Sequence, residues 1–288
     1  MNNQSALTQT TSNPVVTAPT WQLVFKRELA ELWLGGRALN LLVLFSVLVS
    51  ITAFLLATND NAKLATPDQN EVVLLQAAIT FGLFIGLIIA AESISGERER
   101  ATFEALMLTP ISRRQIVVGK FLGAMSVWPP AMLVVLPFMI LLSQKDPILI
   151  PSLIWGGILG SLLAVIFTGV GMLVSMMLNS NKNSLFLSML IYLLSLLPSQ
   201  MPGEVMNTAA GPFIRAAGPL EAANYFLETT LVGKQFFKEE WIYLVMPLIL
   251  AILVLVVLFV YAAPRLHLEG GRASLTRPVR SQTEATND

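Results

Sequence analysis

The side chains able to do covalent chemistry are few in this chain. There is no cysteine and a single histidine, His267, so thiolate nucleophiles, disulfides and His-paired metal motifs are absent and a histidine-based triad is disfavoured. Gly119-Lys120 is followed by Phe121 and lacks the upstream glycine of G-x-x-x-x-G-K-[ST], so it cannot form a phosphate-binding P-loop. Glu92 is the one acid in the apolar run 72–94; its place near one end favours a structural ion pair over substrate or proton binding. What remains is one dense charged stretch, 93–120, set between two long apolar runs. Its chemistry is recognition by charge and by a short helix, not catalysis.

The elements that hold this stretch are set by composition. Of 288 residues 55% are hydrophobic and 12% charged, and the mean hydropathy is +0.69. Soluble domains carry about 25% charged residues, so the chain reads as an all-α integral membrane protein. The zero formal net charge gives no electrostatic reason to expect nucleic acid as a partner. Six apolar segments approach the ~20 residues a spanning helix needs: 38–57, 72–94, 120–143, 148–178, 185–201 and 241–263. The fifth is the weakest, being short and closing on Pro198 and Pro202. With the N-terminus inside, thirteen of the eighteen Lys and Arg fall on the cytoplasmic side, which places both termini there.

The expected organisation is a disordered cytoplasmic tail over 1–19 without the basic start of a signal peptide, and an amphipathic helix over 20–37. A six-helix transmembrane domain follows over 38–263, with a cytoplasmic loop 95–119 and an outer segment 198–240; a cytoplasmic tail covers 264–288. In the 20–37 helix Trp21, Val24, Phe25, Leu29 and Leu32 share a side suited to the headgroup zone. Glu28 projects onto that apolar side; it either pairs with a cation of the 96–120 region or reaches the headgroup edge. GxxxG spacings at Gly82/Gly86, Gly119/Gly123 and Gly156/Gly160 allow close helix approach, within one subunit or across a dimer seam. Pro129, Pro130 and Pro137 should kink or locally unwind the third span. The outer segment reads as short helices broken at Gly211-Pro212 and Gly218-Pro219, a substrate gate or a passive lid.

Within the charged stretch, Ser95 is positioned to cap a helix over 97–108 whose first turn bears Glu97 and Glu99. Pro110 ends it, and Ser112 with Gln115 is spaced as a capping box for a second helix running into the third span. The pattern Glu97-Arg98-Glu99, Thr102-Phe103-Glu104-Ala105-Leu106, Thr109-Pro110-Ile111-Ser112-Arg113 and Ile116-Val117-Val118-Gly119-Lys120 resembles the second-to-third-helix loop of type-2 ABC transporter permeases. The resemblance extends to the elbow helix at 20–37, the six spans and re-entrant outer helices. It departs at Ala101, where family members often carry glycine.

The resemblance implies a coupling helix docking on a separate ABC ATPase, which would hold the ATP and Mg; this chain is expected to bind no cofactor or metal and to be no enzyme itself. It also implies a dimer with a second copy or a paralogue in the lipid bilayer of the cell membrane, and export. Polar docking contacts fall to Glu97, Arg98, Glu99, Glu104, Arg113 and Arg114, and helix shape and apolar seat to Thr102, Phe103, Leu106, Thr109 and Pro110. The elbow residues are Trp21, Phe25 and Glu28. The absence of charge at mid-span favours an amphipathic or lipid-like substrate. The rival readings are an intramembrane enzyme, a non-transporting scaffold for an ATPase, and a secondary transporter.

Overall fold

The computed structural model describes residues 20–58, 67–102, 111–143, 148–233 and 241–265. Both tails and residues 103–110 lie outside these, and with them Phe103, Glu104, Leu106, Thr109 and Pro110. The described residues form helices and no strand: α1 Thr20–Leu34, α2 Arg37–Thr58, α3 Pro67–Glu92, α4 Ser95–Glu99, α5 Arg113–Met125, α6 Trp128–Leu142, α7 Leu149–Met177 and α8 Asn181–Leu196. After a short 3-10 turn at Pro198–Gln200 come α9 Gly203–Met206, α10 Gly211–Ala217, α11 Pro219–Leu231 and α12 Trp241–Val256.

The centre is a parallel pair, α3 and α7, held close by small residues. A Cβ placed on Gly156 would meet the Leu75 side chain at 2.6 Å, and one on Gly171 would meet the Leu87 carbonyl oxygen at 2.8 Å and the Ala90 Cβ at 3.1 Å. Without Cβ atoms the backbones approach and gain dispersion contacts that lipid tails cannot match. Trp128 wedges against this pair between Gly82 and Gly160, and its Nε1 donates to Ser161 Oγ at 3.0 Å. The GxxxG spacings therefore serve packing within the subunit. Gly171→Ala should cost about 1–2 kcal/mol, since the carbonyl it meets is helix backbone and cannot swing away; a lowered melting temperature in detergent would register it.

The third apolar segment is locally unwound at Ser126 and Val127. Helix α5 ends at Met125, and Ser126 satisfies the turn by donating its N–H to Leu122 and Gly123 carbonyls and its Oγ to Gly123. Pro129 and Pro130 follow in the first turn of α6, where missing N–H groups cost least. Pro137 and Pro247 stay inside α6 and α12, and α12 continues into a π-helical turn at Val257–Ala262.

Among the described residues, five segments are long and apolar enough to cross a bilayer: 37–58, 69–99, 113–142, 149–177 and 241–265. Helix α8, expected as a sixth, has 16 residues, or about 24 Å against a hydrocarbon core of about 30 Å. Pro198 stops it. It nevertheless begins beside α4, where Glu99 Oε2 accepts the Asn181 N–H, and the 3-10 turn after it packs on α11. Helix α11 sits at the other end of the bundle, with Gln76 Nε2 donating to the Asn224 carbonyl and Trp155 against Phe226. Helix α12 starts at that far end, Tyr243 against Tyr225, and finishes at the α4 end, where Arg113 Nη1 donates to the Pro264 carbonyl.

Candidate functional site

At the α4 end, α1 is seated on α5. It closes through Gly35 and Gly36, the latter at φ 76, a conformation that favours glycine and turns the chain into α2. The Gly119/Gly123 spacing on α5 opens a groove for α1. Built Cβ atoms there would lie 2.7 Å from the Val24 Cβ and 2.9 Å from the Glu28 Cβ. Val24 and Leu32 are buried, and Trp21 and Phe25 partly so. The side of α1 expected to meet headgroups is thus covered largely by α5. Trp33 Nε1 closes the contact by donating to Ser126 Oγ at 3.1 Å.

This seating answers the question posed by Glu28. Lys120, one residue beyond the first groove glycine, donates from Nζ to Glu28 Oε1 at 2.7 Å and pairs with Glu97 Oε1 at 2.9 Å. Its side chain is 1% exposed, with Glu28 at 17% and Glu97 at 11%. Around this buried trio, Arg27 lies 3.9 Å from Glu97 and Arg100 lies 4.0 Å from Glu31, and Arg37 pairs with Glu92. Carboxylates of Glu28, Glu31 and Glu97 approach within 4.8 Å of one another, a spacing that suits a cation; the Lys120 ammonium pairs with two of them, Glu28 and Glu97, and Arg100 lies by the third.

Burial pushes the Glu28 carboxyl above its ordinary value; Lys120 pulls it down, and Glu97 and Glu31 push it up again. Folding therefore favours the protonated acid. That stabilisation is fully present below the unfolded carboxyl's pKa and is lost as pH rises through the raised value. Glu28→Gln keeps a hydrogen-bond partner for Lys120 and should flatten this part of the stability curve. Melting temperatures measured between about pH 4 and 7 would show the change.

Helix α4 differs from its sequence-based expectation. Ser95 does not cap it: Ser95 lies inside the helix, its Oγ donating to the Ala91 carbonyl and Asn181 Oδ1. Ser175 Oγ instead accepts the backbone N–H groups of Ile94 and Ser95, at 3.0 and 2.9 Å. Nor does one helix run over 97–108. Helix α4 ends at Glu99, and Ala101 takes φ 57, a left-handed conformation that costs a Cβ-bearing residue about 1–2 kcal/mol. This is the position where the resembling family often has glycine. Ala101→Gly should raise stability by up to about 1 kcal/mol, because strain relief outweighs the added freedom of the unfolded chain; thermal unfolding checks it.

Several residues expected to dock outward are used inside the subunit. Glu97 holds Lys120. Arg98 Nη1 donates to the Met176 carbonyl at 3.1 Å and Asn179 Oδ1 at 3.0 Å, closing the C-terminal end of α7. Glu99 accepts the first N–H of α8. Thr102, Arg113 and Arg114 are exposed, and Thr102 Oγ1 reaches back to the Glu97 carbonyl. The expected capping box is present, with Ser112 Oγ accepting the Gln115 N–H and Gln115 accepting the Ser112 N–H. Lys120 is the site residue that sequence reasoning missed; its signal is a lysine inside a GxxxG groove with an acid on the apolar side of α1.

A family model described as ABC-2 family transporter protein matches residues 22–268, and the chain belongs to that family. No curated protein matches it. With its apolar helices, this makes the chain a multi-pass membrane permease component of an ABC-type transporter.

Proposed function

We propose that the chain is the transmembrane subunit of an exporter, driven by separate ATPase subunits that dock on the 95–119 loop. The observation that carries this is the construction of the α4 end. Exposed Thr102, Arg113 and Arg114 lie on the loop, while Glu97, Arg98 and Glu99 brace it to α5, α7 and α8. A load applied to the loop would pass into the α3–α7 pair through α4, not along a single helical lever. ATP and Mg would be held by the ATPase, and this chain would contribute no catalytic group. It would work as a dimer with itself or a paralogue.

The positions of α1 and Pro264 at the same end support six crossings, with α8 as the short one, and both termini in the cytoplasm. On this reading α1 is the elbow, and α9 to α11 form the outer re-entrant cap. Co-expression with the candidate ATPase tests the proposal. The wild-type chain should co-purify with the ATPase and alter its ATP hydrolysis, and the pair Glu104→Arg with Arg114→Glu should abolish both. A chain that purifies free of every ATPase tried would favour secondary transport.

A further inference from the structure

The charged junction joins two bodies built in different ways. In the first, α1 and α5 are fitted by the Gly119/Gly123 groove and tied by the Trp33–Ser126 hydrogen bond. In the second, α4 is fastened to α7 and α8 by Ser175, Arg98 and Glu99, and Ser184 Oγ adds a bond to the Ala91 carbonyl at 2.7 Å. The ion pairs between the bodies are of another kind. Arg27–Glu97 and Arg100–Glu31 are at 3.9 and 4.0 Å between half-exposed cations and their partners, and such pairs contribute little. The short link between α4 and the α1–α5 pair is Lys120–Glu97; beside it, Arg37–Glu92 ties α2 to α3. The apolar seam beneath it sets Val117 and Phe121 against Ile94, Met172 and Met176, and methionine side chains repack readily.

We infer that the joint between α4 and the α1–α5 pair is a separable latch, in which Lys120 releases Glu97 and stays paired with Glu28. The asymmetry follows from what each group would leave behind. Lys120 is buried, and losing every carboxylate would strand its ammonium. With Glu28 carried on the same body, the ammonium keeps a partner in either position. Among the described residues, Glu97 Oε2 has no hydrogen-bond partner and its Oε1 is shared between Lys120 and Arg27, so on release it gains water. Opening between α1 and α5 would lack this compensation, because Val24 and Glu28 would leave the glycine groove bare. This inference rests on the loop being the driven element.

The cysteine-free chain permits a direct test. In the reconstituted complex with its ATPase, Glu31→Cys with Arg100→Cys is bridged across the joint by a short, cleavable bis-methanethiosulfonate. A second variant, Trp33→Cys with Ser126→Cys, is bridged within the α1–α5 pair. Bridging across the joint should abolish transport-linked ATP hydrolysis and reduction should restore it, while bridging within the pair should leave it intact. Full turnover with the joint bridged would overturn the latch. Failure of the unmodified chain to bind the ATPase would instead sink the functional reading. Spin labels at the same two pairs, in the chain alone in bilayers, address the latch independently. The 31/100 pair should show two distance populations and the 33/126 pair one; a single distance for both also overturns it.

Discussion

Lys120→Met is expected to be the most damaging single change at the charged junction. It leaves Glu28 and Glu97 facing each other in a site that water barely reaches, with the side chain that neutralised them gone. Breaking a buried ion pair from one side costs about 3–5 kcal/mol, a large share of the stability of any domain. The loss should appear as a fall in melting temperature and in yield of folded protein from detergent. Glu28→Gln in the Lys120→Met background should recover part of it, because one of the two stranded charges is removed. If Lys120→Met unfolds at the wild-type temperature, the ion-pair trio does not hold the junction together.

Gly119→Leu should act on the same junction by shape. A side chain there meets the stiff, β-branched Val24 at 2.7 Å and the Phe25 backbone nitrogen at 3.0 Å. Neither can turn aside, so α1 must lift from α5 and take Glu28 out of reach of Lys120. Overpacking of this kind costs about 1–3 kcal/mol, and loss of the Lys120–Glu28 contact adds to it, for a total of about 3 kcal/mol or more. Val24→Ala should relieve the clash in part. A double-mutant cycle on melting temperature would measure the coupling, and additive effects would show that the groove does not seat α1.

What the sequence made legible was whatever local rules decide. Apolar runs marked the long helices, Pro129 and Pro130 marked the break before α6, and Ser112 with Gln115 marked the capping box, because each depends on neighbours a few residues away. The apolar side of α1 was legible too, but not what covers it, since Gly119 and Gly123 lie far along the chain. Ser95 carried a capping spacing and yet became a tertiary hydrogen-bonding residue: Ala91 and Asn181 offered its hydroxyl better partners than a local N–H. The break at Ala101 had no local signal in alanine itself, which prefers to continue a helix. It showed only as a mismatch with the resembling family. In the candidate site, acids and arginines were read as outward contacts because charge normally seeks water. Glu97, Arg98 and Glu99 instead find opposite charges, helix ends and N–H groups supplied by segments remote in sequence.

The parallel pairing of α3 with α7 also imposes an order on biogenesis. Helices running in the same direction cannot meet as a hairpin, and the residues joined here, such as Ser95 and Ser175, are separated by 80 positions. As the chain emerges from the ribosome, α3 must wait in the bilayer with Gly86 and Leu87, which face Thr168 and Gly171, uncovered until α7 has been made. A nascent chain stopped after α6 therefore has no central pair and no Ser175 to receive the N–H groups of α4. Such a fragment should be held by insertion factors or degraded, and protease protection of α4 should appear only when translation passes α7.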